Sequence, residues 1–216
     1  MTENQTKIKD KFLDYYLTEG KLPPSVFQFS KSMKMKEADF YEEFGSFENV
    51  LQEIWSGFFT ETFDTLKKQP EYQEFSVRDK LLTFHYSLIE VFKKNRSFML
   101  LSYPRMSKPM MMKPNMVLNK AKSEFLDYAQ ELIIEGQENR EIVQRILLQL
   151  NNQYPQLLWR LTLSVTEFWI KDSSRLFEKT DSLIEKSVNA SMDLMGQTAF
   201  DSLFDLGKFM FQNSKK

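Results

Sequence analysis

The chain has 216 residues, a formal net charge of -1, one histidine and no cysteine. Disulfides and thiol chemistry are excluded, and any histidine-based metal site or catalytic triad would have to be built around the single ring of His85, which has no ligand cluster beside it. With 42% apolar residues, 20 Phe and 12 Met against only 6 Gly and 7 Pro, the composition predicts long helices, no sheet, and an all-α core of large, adaptable side chains.

Residues 1–11 are polar and charged, so no signal peptide is read there, and no later stretch reaches membrane-spanning length; a cytoplasmic protein without membrane contact is expected. Ile8, Phe12 and Tyr15 or Tyr16 recur at helical spacing, and the first helix should stop at Glu19-Gly20. After Pro23-Pro24, Ser25 is an N-cap candidate for a short second helix carrying Val26, Phe29 and Met33, which ends in the basic turn Lys34-Met35-Lys36. A third short helix should carry Ala38, Phe40, Tyr41 and Phe44 up to Gly45. Ser46 then caps a long fourth helix with Phe47, Leu51, Ile54, Phe58 and Leu66 facing inward, closed by Pro70.

Val77, Leu81, Phe84, Leu88 and Phe92 predict a fifth amphipathic helix ending in the cationic run Lys93-Lys94-Asn95-Arg96. The stretch 103–116 holds Pro104, Pro109 and Pro114 among five methionines and should not form one regular helix. Helices are expected to resume over 117–134, to break at Gly136, and to continue over 141–150. Two long ones should follow, at about 155–173 and 179–211.

Residues 25–51 carry a recognisable pattern. A short capped helix, a turn and a further helix end in Phe40-Tyr41 and Phe44, followed by Gly45-Ser46, Glu48 and Val50-Leu51. This window resembles the DNA-reading end of TetR-family repressors, and Gly136-Gln137 followed by Arg140-Glu141-Ile142 and two long terminal helices is similar to the order of that family's body. The resemblance implies an N-terminal helix-turn-helix domain at residues 1–46 and a C-terminal ligand-binding and dimerisation domain at 47–216. It implies DNA contacts from Ser25, Gln28, Lys31, Lys34, Lys36, Glu37, Ala38, Asp39 and Tyr41, with Phe40 and Phe44 wedging the reading helix in place and the Tyr41 hydroxyl offered to a phosphate.

The chain departs from the family pattern where a glycine of the turn is replaced by Lys34 and a Ser or Thr cap by Lys36. A lysine there is expected to require a negative φ, and so a different turn. Residues 25–51 hold three lysines against five acids, the wrong sign for phosphate, whereas residues 1–36 hold seven lysines against four acids and can line a duplex backbone. Acids in a reading helix can accept from cytosine amino groups.

In the C-terminal body, Ile184, Val188, Met192, Met195, Ala199, Leu203, Leu206 and Met210 form one stripe of the last helix, with Phe200, Phe204 and Phe211 displaced from it. A helix with two apolar faces needs two partners, which predicts a homodimer through that stripe. Phe92, Phe98, Met99, Tyr103, Phe125, Tyr128, Trp159, Thr162, Val165, Thr166 and Trp169 are the candidate lining of an apolar pocket for a hydrophobic small molecule or lipid, with the methionines of 106–116 as a pliable entrance. A second resemblance, in Thr166-Glu167-Phe168-Trp169-Ile170-Lys171-Asp172-Ser173-Ser174 with Phe177-Glu178 and Thr180, is to the TetR-fold lipid-binding proteins of ubiquinone biosynthesis, which implies a lipid-carrying alternative without DNA binding.

The carboxylates lie at ordinary helix-surface spacings and no glycine loop cradles phosphate, so no catalytic residue, metal or cofactor is expected. The reading is a non-enzymatic, dimeric, one-component transcriptional regulator that binds double-stranded DNA and responds to a hydrophobic effector.

Overall fold

The computed structural model describes residues 2–106, 116–143 and 153–196, with residues 104–106 as backbone. The described residues contain helices and no strand: α1 (Glu3–Glu19), α2 (Val26–Ser32), α3 (Glu37–Glu43), α4 (Phe47–Lys67), α5 (Val77–Lys94), α6 (Arg96–Met106), α7 (Asn119–Glu138), α8 (Tyr154–Lys171) and α9 (Glu178–Met195). Short 3-10 turns at Pro70–Glu74, Met116–Leu118 and Arg175–Phe177 join some of them. They pack as two compact units, one of Met1–Thr65 with Ser87–Phe125, the other of Leu66–Tyr86 with Leu126–Lys216.

The first unit begins with a fully capped helix. Thr2 Oγ1 accepts from the Gln5 amide and the Gln5 side chain accepts from the Thr2 amide, which satisfies two of the donors a helix start leaves bare. α1 ends at Gly20, whose φ of 67° suits glycine. Ser25 and Ser46 cap α2 and α4 as expected, accepting from the amides of Gln28 (3.2 Å) and Asn49 (3.3 Å). Inside, Phe12, Phe29, Phe40 and Phe47 interlock with centroid separations of 5.3–6.4 Å, and none is more than 8% exposed. Burying each such ring contributes about 1.5–3 kcal/mol, so this cluster rather than helix propensity holds two seven-residue helices in place.

In the second unit, Ser76 caps α5 by accepting from the Asp79 amide, and the Glu141 carboxylate reaches back to the Val77 amide at 3.0 Å. α7 runs through Gly136 to Glu138 where the sequence predicts a break. The glycine is there for space: a Cβ would meet Ile142 Cδ1 at 2.7 Å and Val77 Cγ2 at 3.3 Å. The chain then turns at Arg140, φ 64°, and the Gly136 carbonyl accepts from the amides of Glu141 and Ile142. α6 likewise continues past Pro104, to Met106. The helix expected over 141–150 is non-helical at its first three residues, and the rest lies outside the described residues.

α8 and α9 pack on each other, joined by a corner in which Leu176 (φ 53°) and Phe177 (φ 64°) both adopt left-handed backbone. The last helix does not run unbroken to residue 211. α9 ends at Met195, where Gly196 takes extended backbone and the Met195 carbonyl accepts from the Val143 amide at 2.9 Å.

Candidate functional site

The helix-turn-helix is built by α2, the turn at residues 33–36, and α3. Lys34 has a φ of 56°, so the turn keeps the left-handed geometry of a glycine although a lysine occupies it; the expectation of a negative φ is overturned. The amides of Met33 and Met35 both reach the Ser30 carbonyl at 3.0 Å, and that of Lys34 reaches the Lys31 carbonyl at 3.1 Å. These three bonds, with Phe29 and Phe40 buried on either side, outweigh a left-handed cost of about 1–2 kcal/mol.

Of the residues expected to meet DNA, Gln28, Lys31, Lys34, Lys36, Glu37, Ala38 and Tyr41 are exposed. Ser25 and Asp39 are half-buried and engaged in caps, Asp39 Oδ2 accepting from the Lys36 amide at 3.1 Å. The acidity of α3 has a local origin. Glu37 and Asp39 lie in its first turn, where the helix dipole favours negative charge, and Glu43 at its far end accepts from the Thr2 hydroxyl at 2.8 Å. The sequence reading missed Phe27, which is 58% exposed. The signal was present: Val26, Phe29 and Met33 already supply the inward stripe of α2, and Phe27 falls off it.

The candidate pocket residues fall into two groups. In the first unit Phe92, Phe98, Met99, Tyr103 and Phe125 are buried, joined by Trp55 and Phe58 of α4, which the sequence reading did not assign to a pocket. Trp55 lies 6.0 Å from Phe92, 6.3 Å from Phe98 and 6.3 Å from Tyr103, and Phe58 lies 5.8 Å from Phe98. Trp55 Nε1 in this aromatic nest and Ser102 Oγ, next in sequence to Tyr103 on α6, are buried without a hydrogen-bond partner. Such atoms are rare in native interiors and are natural contacts for a polar group of a guest. Phe98 also touches α1, its ring 5.9 Å from Tyr16, whose hydroxyl faces the Leu101 carbonyl at 3.5 Å.

In the second unit Trp159, Thr162, Val165, Thr166 and Trp169 are buried on α8 and Tyr128 is half-buried on α7. Both threonines are engaged: Thr162 with the Leu158 carbonyl and His85 Nε2 (3.2 Å), Thr166 with the Thr162 carbonyl. His85 is wholly buried, its Nδ1 2.8 Å from the Leu81 carbonyl, and burial pushes it down to about 4 against that bond, so the ring is neutral at physiological pH.

Sequence reading also missed a polar cluster beside Tyr128. Lys80, buried on α5, donates to Glu135 Oε1 at 2.6 Å and lies 5.7 Å above the Tyr72 ring, and the Tyr72 and Tyr128 hydroxyls are 2.8 Å apart. Burial pushes the Tyr72 phenol up to about 12 and the Tyr128 phenol well above its usual range, so both stay protonated. Lys80 at the spacing of the Val77 and Phe84 stripe was the available clue.

Ile184, Val188, Met192 and Met195, expected at a dimer interface, are at most 4% exposed in the single chain, where α9 packs on α8. The stripe is covered by the chain itself. On the neighbouring side of α8 and α9 a groove of about 330 Å³ is lined by Leu157, Arg160, Leu161, Ser164, Val165, Leu183 and Ser187. Ala199, Leu203, Leu206 and Met210 lie outside the described residues. No helix among the described residues is long and apolar enough to cross a membrane.

Comparison with known proteins places this architecture. The model of the tetracyclin repressor-like C-terminal domain matches residues 80–210. No curated protein sequence matches the chain. Among solved structures it is similar to a candidate TetR-family transcription regulator from Shewanella sp. PV-4, with 14% identity over 86% of this chain and 98% of that one and a TM-score of 0.57. A protein of unknown function from Rhodococcus sp. RHA1 is similar at 12% identity, over 91% and 97% of the two chains, with a TM-score of 0.58. A bacterial regulatory protein of the TetR family from Rhodococcus RHA1 follows at 10% identity, over 92% and 100%, with a TM-score of 0.54. Such identities speak for the fold alone. With a family model covering more than half its length and a helix-turn-helix ahead of an all-helical body, the chain belongs to the TetR family.

Proposed function

We propose that this protein is a non-enzymatic, one-component transcriptional regulator that binds double-stranded DNA as a homodimer and responds to a hydrophobic small molecule. The observation that carries the reading is the turn at Lys34. A left-handed lysine is kept where a glycine would be less strained, with Lys31 and Lys36 exposed on either side of it, as expected if the turn's charge is needed at a phosphate backbone.

In this reading residues 1–46 are the DNA-reading head and 47–216 the effector-binding and dimerising body. α4 supports the coupling between them, since it begins with Phe47 in the aromatic core of the head and carries Trp55 and Phe58 into the aromatic nest. A guest that reaches Trp55 Nε1 or Ser102 Oγ displaces α4 or α6, and α6 is tied to α1 through Phe98 and Tyr16. The effector class this favours is a flat, largely apolar molecule with one or two hydrogen-bonding atoms.

Electrophoretic shift with the DNA flanking its own gene tests the reading. A sequence-dependent complex is expected, weakened and with a flatter salt dependence when Lys31, Lys34 and Lys36 are replaced by Ala. No salt-sensitive complex at low ionic strength, together with lipid co-purifying in native mass spectrometry, would favour the lipid-carrying alternative.

A further inference from the structure

Resting on the DNA-binding reading above, we infer that Phe27 is a base-reading residue whose ring contacts thymine methyl groups in the major groove. The core of the head is complete without it, because Phe12, Tyr16, Phe29, Phe40 and Phe47 are all at most 8% exposed and pack on one another. Phe27 is nevertheless 58% exposed, in a stretch whose Gln28, Lys31, Lys34 and Lys36 are exposed as well. Lys31 follows it by one helical turn on the same face of α2, so a lysine that meets a phosphate brings the ring towards the groove edge beside it.

The chemistry narrows what the ring can recognise. A phenyl group neither donates nor accepts a conventional hydrogen bond, and among the major-groove edges of the four bases only thymine presents an apolar group, its C5-methyl. A cytosine at the same position keeps only a hydrogen at C5, so the ring loses the methyl and the apolar area buried against it. The acids of α3 do not oppose this contact where they are held at the helix ends: Asp39 is turned to the Lys36 amide and Glu43 to Thr2.

The test uses the full chain and duplexes that it recovers from a random-sequence library, with each thymine of the recovered site replaced in turn by deoxyuridine, which removes only the methyl. One thymine in each half-site is expected to weaken binding about fourfold on replacement, the equivalent of ~0.8 kcal/mol for one buried methyl. In the Phe27→Ala protein the same replacement should change nothing, and selection should no longer prefer thymine at that position. Equal affinity of the wild-type chain for thymine and uracil duplexes overturns the inference while leaving DNA binding intact, and so does full discrimination retained by Phe27→Ala. Self-association without DNA that Phe27→Ala abolishes would assign the ring to a protein contact and overturn it too. Failure to recover any duplex removes the regulator reading and this inference with it.

Discussion

His85 is held neutral by burial, with both ring nitrogens facing partners, the Leu81 carbonyl and Thr162 Oγ1. An unfolded histidine titrates at about 6.5, whereas burial holds this one at about 4. Between those values the unfolded chain binds the extra proton, so stability is complete above about pH 6.5 and is lost as pH falls towards 4. The whole interval is worth about 3 kcal/mol, and about 2 kcal/mol is lost by pH 5. Urea unfolding at pH 7.5 and 5 should show that loss, and His85→Gln, which keeps hydrogen-bonding atoms but does not titrate, should remove most of it; an unchanged pH slope in the variant would show that other groups carry it. At Lys34 the expectation has two parts. Lys34→Gly should raise stability by about 0.5–1 kcal/mol by relieving the φ of 56°, and should weaken DNA binding with a salt slope reduced by about 1. Thermal melting and filter binding read the two effects separately.

At the scale of elements, the corner between α8 and α9 depends on one carboxylate. Asp172 accepts from the Ser174 amide at 2.8 Å and from the amide and hydroxyl of Thr180 at 3.1 and 2.7 Å, which fixes the first turn of α9 beside two left-handed residues. Burial raises the Asp172 pKa, but these bonds overcome it and hold the carboxyl at about 2. Its stabilising effect is therefore present above the ordinary carboxylate range and is lost as pH falls towards 2. Asp172→Ala should cost about 1–3 kcal/mol in thermal unfolding, the loss being largest in hydrogen-exchange protection at the start of α9. The caps at Ser25 and Ser46 were legible in the sequence because a short polar side chain ahead of an apolar stripe has a local consequence. The end of α9 was not. The apolar spacing continues through Gly196, and what stops the helix is the extended backbone of that glycine together with a bond from Val143, more than fifty positions away.

At the scale of the molecule, the burial of the stripe bears on the proposed dimer. Because Ile184, Val188, Met192 and Met195 are spent on the chain's own core, we propose the groove of Leu157, Leu161, Leu183 and their neighbours as the surface by which the proposed dimer forms. The wild-type chain should sediment as a dimer, and Leu161→Glu combined with Leu183→Glu should yield a folded monomer, since four carboxylates would face one another across the two-fold axis. A variant that still sediments as a dimer would place the interface elsewhere. DNA affinity should fall with dissociation, because each head then binds its half-site alone.

The helical class, the helix-turn-helix with its caps, the inward stripe of α4 and the family resemblance were all determined by the sequence itself. Each depends on spacings of three and four residues or on a motif without gaps, and such signals survive without knowledge of distant neighbours. What only the tertiary structure decided depends on contacts between residues far apart. Gly136 packs against Ile142 and Val77 inside a continuous α7 instead of ending it. Phe29 and Phe40, on either side of the turn, pack on each other, and Lys34 takes the left-handed backbone that the sequence alone argues against. Asp39, expected at the DNA, is turned to an amide of the turn, and Glu43, one of the acids counted against phosphate, to a hydroxyl of α1. Composition records how many charges a segment has, but packing and hydrogen bonding decide which way they point.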